Sequence, residues 1–171
     1  MSAGNFKNCL AFTLTQEGGY SNNPHDPGGA TMKGIIQREY DAWKKAQGLP
    51  LAPVRWISDS DVEAIYLANY WMPLKCELLP KGVDLMVFDY GVNSGISRSA
   101  KQLQLAVGAY PDGQVGSQTV AATQAKQAGG LILSLAARRL SFLEGLGNWK
   151  YFGRGWGARV NAVKAAALKM L

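Results

Sequence analysis

Phe6, Cys9, Leu10, Thr13 and Leu14 recur at i, i+3, i+4, i+7 and i+8. That 3.6-residue stripe predicts an amphipathic helix over about residues 5–16, and Gly18-Gly19 ends it. The run Tyr20 to Gly29 packs Asn, Pro, Asp and Gly so densely that it reads as turns and short extended pieces. Thr31 to Ile35 reads as a short strand, which would give a small β-ribbon beside the helix end. Helical patterns follow at about 36–47 and 60–71, with Ser58 or Ser60 available as a cap for the second. Beyond Leu79-Pro80-Lys81-Gly82 the pattern is almost entirely helical, with segments near 83–92, 98–107, 117–127, 130–145 and 155–170. Asn93-Ser94-Gly95, Pro111-Asp112-Gly113 and Gly129-Gly130 separate them. No internal repeat relates the two halves. The expectation is an α+β, mostly α-helical protein of two lobes, 1–82 and 83–171, packed as one unit.

Glu17 is the next position on the first helix's apolar stripe. A carboxylate there lies where the buried face runs out, near the negative end of the helix dipole. Both conditions disfavour the ionised form, and a general acid at neutral pH needs such surroundings. A solvated residue in a fraying last turn would also fit the pattern. Glycosidic cleavage needs a protonated carboxyl on the leaving oxygen and a second carboxylate that activates water or attacks the sugar. Asp26 lies nine residues after Glu17 across a turn-rich connection, and Thr31 follows five residues later. A ribbon folding back beside the helix end would set both across a cleft from Glu17. Asp26 before Pro27-Gly28-Gly29 equally suits a turn shaped by its own backbone hydrogen bonds.

The bulk numbers narrow the classes. Among 171 residues, 47% are hydrophobic and 18% charged, which is ordinary globular composition and excludes disorder. No apolar run approaches the roughly 18–20 residues of a membrane span, and the N-terminus lacks a signal-peptide pattern. These features lead us to expect synthesis in the cytoplasm, with something else carrying the protein to any wall substrate. Two distant cysteines, Cys9 and Cys76, and one histidine, His25, provide no metal set, so neither metal nor cofactor is expected. Cys9 falls on the buried stripe, which suits a free thiol. The formal charge of +6 belongs to the C-terminal half: residues 138–171 carry seven basic side chains against Glu144. That excess suits an anionic polymer of the cell envelope, or simply a solvated face. Nucleic acid is not expected, because no binding motif is present and residues 1–82 are neutral overall.

The run Glu17-Gly18-Gly19-Tyr20-Ser21-Asn22-Asn23-Pro24-His25-Asp26-Pro27-Gly28-Gly29-Ala30-Thr31-Met32-Lys33-Gly34-Ile35 resembles the signature of glycoside hydrolase family 108. These are N-acetylmuramidases found as phage endolysins and as secretion-associated bacterial enzymes. Phe88-Asp89-Tyr90-Gly91-Val92-Asn93-Ser94-Gly95 is similar to the segment that opens the family's C-terminal half. Asp112-Gly113, Val115-Gly116 and Thr119, with Phe152-Gly153-Arg154-Gly155-Trp156, look like its predicted peptidoglycan-binding part. The resemblance implies a lysozyme-like fold, Glu17 as the essential acid, and hydrolysis of the β-1,4 bond between N-acetylmuramic acid and N-acetylglucosamine. By analogy with phage lysozymes, Asp26 would be the base and Thr31 would hold the water. It also implies action in the periplasm or cell wall, reached through a holin or a secretion pathway.

Tyr20 and Tyr90 are candidates for stacking on sugar rings, and Asn93 for binding an N-acetyl group or a hydroxyl, although packing and a plain Asn-Ser-Gly turn explain them too. Trp43, Trp56 and Trp71 read as structural, His25 as solvent-exposed, and Asp112-Gly113 as a turn between helices. The last helix, with Trp156, Val160, Val163, Ala167 and Met170 on one side, reads as docked on the core. The rival activities are a lytic transglycosylase, which uses one Glu and releases an anhydro sugar, and a non-catalytic wall-binding module.

Overall fold

The computed structural model describes residues 3–171, and of Ala3 the backbone alone. Eight α-helices fall within these residues: α1 Ala3–Gln16, α2 Gln37–Ala46, α3 Asp59–Tyr66, α4 Val83–Ser94, α5 Ile96–Val107, α6 Ser117–Gln124, α7 Ala128–Glu144 and α8 Trp149–Leu168. They are joined by one hairpin, β1 Thr31–Met32 and β2 Ile35–Ile36. None of the described helices is long and apolar enough to cross a membrane. The contacts divide the chain into two compact units, Leu10–Ala68 and Met1–Cys9 with Asn69–Leu171. Helix α1 belongs to both, its first turns to the larger unit and its last to the smaller.

In the smaller unit the expected helix, ribbon and two helices all form. Along α1 the predicted stripe is buried, Phe6 and Cys9 in the part that belongs to the larger unit and Leu10 and Thr13 in the part that belongs to the smaller one, and Glu17 follows the last turn half-buried. The ribbon is not one strand over Thr31–Ile35. It is a two-residue hairpin in which Thr31 pairs with Ile36 and Met32 with Ile35. The reversal falls at Lys33-Gly34, whose φ values of 51° and 79° are both left-handed. Two positive φ values in a two-residue loop match the right-handed twist of the strands. Ser21 bridges to Thr31 on the other side, closing the Asn- and Gly-rich run into a loop. Helix α3 is capped by Ser58, whose hydroxyl accepts from the Asp61 N–H at 3.0 Å. It runs on into a π-helical stretch, Leu67–Trp71.

The larger unit is built round α4. Every residue from Val83 to Gly91 is buried, as expected of a helix enclosed on all sides, and α5, α7 and α8 pack against it. Phe6, Trp71 and Phe88 form an edge-to-face trio with centroids 5.3–6.0 Å apart. Residues 69–82 pack with this unit. The Pro80-Lys81-Gly82 stretch, which reads as a boundary, is a tight turn: Gly82 has φ 83°, and a Cβ there would lie 2.5 Å from the Ala167 carbonyl of α8. Both cysteines are buried free thiols, and burial is the chief cause of their raised pKa values.

One carboxylate joins three of these helices. Asp89 of α4 is fully buried and accepts from Arg139 of α7 at 2.7 Å and from Arg159 of α8 at 3.0 and 3.2 Å. Burial alone would raise its pKa, but the two guanidiniums overcome that and hold it below the usual carboxylate value. A depressed folded-state value contributes stability that is present above the unfolded pKa of about 4 and lost as pH falls through the folded value. Replacing Arg139 with alanine leaves a buried carboxylate short of a partner. We expect destabilisation of about 3–5 kcal/mol in denaturant melts, with a shallower loss of stability below about pH 4 than the parent shows.

Candidate active site

The local sequence delivers Glu17 to the hairpin. The last turn of α1 stops at Gln16, and four residues beyond Glu17 the backbone of Ser21 pairs with Thr31 at 2.8 and 2.9 Å. The hairpin then turns back at Lys33-Gly34. Gly34 marks where these pieces meet. A Cβ on it would lie 3.1 Å from Glu17 Oε2 and 2.5 Å from the hydroxyl of Tyr66. The Glu17 carboxyl therefore lies against bare backbone, in space that any other residue at position 34 would fill. Tyr66, on α3 and 1% exposed, donates its hydroxyl to the Lys33 carbonyl at 2.8 Å. Lys33 itself forms an ion pair with Asp59 in the first turn of α3, so this residue of the turn is tied to that helix through both its backbone and its side chain.

Asp26 stands at the exposed apex of the 21–31 loop. One of its oxygens, Oδ1, accepts from the Gly28 N–H at 2.8 Å, and its carbonyl accepts from the Gly29 N–H at 3.0 Å. The turn-shaping role is thus present, and it occupies Oδ1. Thr31 is half-buried, and its hydroxyl donates to the Gly29 carbonyl at 3.4 Å. Glu17, Tyr20, Asp26 and Thr31 all belong to the smaller unit. Tyr20 is partly exposed, with the Arg55 guanidinium 4.8 Å from its ring centroid. His25 is exposed and takes part in the loop only through its backbone N–H, which donates to Asn23 Oδ1.

The other two candidates lie on α4 in the larger unit. Tyr90 is 3% exposed, with its ring against Phe142 and the Arg139 guanidinium. A ring so enclosed has no face for a sugar, which corrects the expectation of stacking there. Asn93 accepts from Arg139 Nη2 at 3.0 Å through its side-chain oxygen. It lines a shallow cavity of about 260 Å³ with Arg98, Phe142, Leu146 and Trp156. The Asp112-Gly113 segment is a turn wrapped round buried Gln104, which donates to Asp112 Oδ1 and the Gln114 carbonyl and accepts from the Gly113 N–H at 2.9 Å.

The sequence reading missed Tyr66, Gly34 and Arg55. Gly34 alone left a signal, as a glycine that follows Lys33 and precedes the apolar pair Ile35-Ile36. Trp56, expected as a structural residue, is instead 73% exposed.

A mostly helical chain with a small antiparallel hairpin after its first helix and a half-buried glutamate at that helix's end has the lysozyme-like α+β fold of glycan-cleaving enzymes. The model of the family described as glycosyl hydrolase 108 matches residues 10–95, and the chain belongs to that family. A solved structure, that of SagA from Brucella abortus, shares 37% of its residues with the chain, covering 98% of it and 95% of SagA, at a TM-score of 0.85. No curated protein matches the chain. It is a glycoside hydrolase.

Gly34→Ala tests the convergence. It forces a left-handed φ on a residue with a Cβ and drives that Cβ into Tyr66 Oη and Glu17. We expect at least about 1 kcal/mol of lost stability, read from thermal melts, and a larger fall in glycan-cleaving activity than stability explains. Tyr66→Phe, which removes the hydroxyl bond to Lys33, should cost about 1 kcal/mol.

Proposed function

We propose that the chain is a lysozyme-type N-acetylmuramidase that hydrolyses the β-1,4 bond between N-acetylmuramic acid and N-acetylglucosamine in peptidoglycan. The observation that carries this reading is the half-buried carboxyl of Glu17, set against the Lys33-Gly34 turn at the end of α1. Glu17 acts as the general acid and protonates the leaving glycosidic oxygen. Asp26 activates the water. Its Oδ1 is engaged by Gly28, so the second oxygen, Oδ2, takes that proton while the turn fixes the carboxyl's orientation. Thr31, next to that loop on β1, steadies the water through its hydroxyl. This is the inverting assignment, in which water occupies the space between two carboxyls roughly 6.5–9.5 Å apart.

In this reading residues 1–82 do the chemistry and residues 83–171 contact the wall. Tyr20 and Asn93 bind the strand, and the basic C-terminal end favours anionic envelope polymers. Neither metal nor cofactor takes part. A holin or a secretion pathway would carry the enzyme to the periplasmic or wall side, as endolysins and secretion-associated muramidases require.

Digestion of purified peptidoglycan followed by mass spectrometry tests the reading. Wild type should release fragments with reducing-end muramic acid. Glu17→Gln should lower the rate by at least about 10²- to 10⁴-fold, the usual share of a general acid. Asp26→Asn should also fall steeply while its melting temperature stays near that of wild type, because an amide oxygen can still accept from Gly28. Anhydro-muramic products would make the enzyme a lytic transglycosylase instead. Wall binding without cleavage would make it a binding module.

A further inference from the structure

Trp56 departs from what its neighbours do. It ends a 3₁₀ turn, Val54–Trp56, whose flanks are pinned: Val54 is fully buried, Ile57 is 7% exposed, and the Val54 N–H donates to Gln37 Oε1 at 2.7 Å. The Gln37 side chain also donates to the Ala52 carbonyl at 2.9 Å, so the segment is fixed to α2 on both sides of Pro53. Between two buried anchors, the indole nevertheless stands 73% exposed. Indole is the largest side chain a chain can bury, and a rigid turn that holds it in water forgoes that burial.

The neighbouring contacts order the ring without covering it. The Arg55 guanidinium lies 5.0 Å from the Trp56 centroid and 4.8 Å from the Tyr20 centroid, so one cation serves two aromatic rings. Cation–π attraction holds the guanidinium beside the rings without consuming its N–H donor capacity. Among the described residues no carboxylate is paired with Arg55. The 3₁₀ turn packs on β1, and Tyr20 is the third residue after Glu17. Aromatic surface, unpaired donors and the acid thus belong to one compact unit.

We propose that Tyr20, Arg55 and Trp56 form a sugar-binding subsite for the glycan strand. The uncovered part of the Trp56 ring stacks on the C–H face of an N-acetylated pyranose. Arg55 donates in-plane hydrogen bonds to an acyl or carboxylate oxygen carried by the same or the next sugar. Tyr20 backs the guanidinium and continues the surface toward Glu17. A pyranose suits this site because it combines an apolar face with a rim of acceptors, as the protein surface combines rings with donors. The assignment rests on the glycan-cleaving reading of Glu17 and adds the residues that hold the strand beside it.

The experiment titrates peptide-free peptidoglycan strands, and separately N-acetylglucosamine hexamer, into the Glu17→Gln protein. Calorimetry and tryptophan fluorescence read binding, and Trp56→Ala, Trp56→Phe and Arg55→Ala are compared in the same background. The chain has five tryptophans, so the fluorescence change lost in Trp56→Ala isolates the ring in question. We expect Trp56→Ala to weaken binding of both ligands by roughly 5- to 10-fold, and Trp56→Phe to restore most of it. Arg55→Ala should weaken the carboxylate-bearing strands more than the hexamer. With Glu17 intact, Trp56→Ala should raise KM more than it lowers kcat. Unchanged binding and KM in a folded Trp56→Ala protein, with wild-type cleavage intact, would overturn the subsite and leave the catalytic reading standing. Trp56-dependent binding by a wild-type protein that cleaves nothing would do the reverse.

Discussion

Asp89 sets the terms for the larger unit. A carboxylate removed wholly from water is tolerable only with compensating charge at hydrogen-bond distance, and here Arg139 and Arg159 supply it from α7 and α8. The three helices are therefore held in register by charge as well as by apolar packing. A shift of any one would leave a charge buried without its partner, which is far costlier than a small void. The cluster also reaches the surface, because Arg139 holds the side-chain oxygen of Asn93. The amide nitrogen of Asn93 is thereby left as its donor group.

In the smaller unit the corresponding constraint is a turn of two residues. Lys33 and Gly34 both take left-handed φ, and only the second does so without cost. The first is retained by two ties to α3, the Tyr66 hydroxyl on its carbonyl and Asp59 on its ammonium. With the turn fixed, the absent side chain of Gly34 makes the recess against which Glu17 lies. Local backbone strain at a site, held by surrounding contacts, is a common companion of chemistry.

Two aromatic side chains, one in each unit, show a second contrast. Tyr90, whose sequence neighbours suggest a cleft, is enclosed, whereas Trp56 stands in water on a braced turn. A family-108 glycoside hydrolase must grip a long, repetitive strand as well as cut it. Exposed aromatic surface backed by arginine is suited to that grip, because stacking tolerates each sugar of the repeat.

Much of the fold was readable from periodicity and punctuation. The stripe from Phe6 to Leu14 forecast α1 and set Glu17 at its end, and the Asn-, Pro- and Gly-rich run forecast the loop. The helical patterns beyond residue 83 forecast α4–α8 to within a few residues at most ends, the starts of α7 and α8 running earlier. Local spacing could specify these because they depend on which residues alternate between core and water. The hairpin reversal was missed because Lys33 is a poor turn residue, and its left-handed φ is held by Tyr66 and Asp59, which lie 33 and 26 residues away. The enclosure of Tyr90 and the exposure of Trp56 were misread for the same reason. Both are aromatics next to polar or glycine neighbours, and what covers a side chain is decided by distant helices. The sequence by itself determined the elements, the place of Glu17 just past the first helix, and the family resemblance. Tertiary structure alone decided that Gly34 and Tyr66 stand beside Glu17, that Asp89 needs two arginines, and which aromatic faces remain in water, because each depends on contacts between residues far apart in the chain.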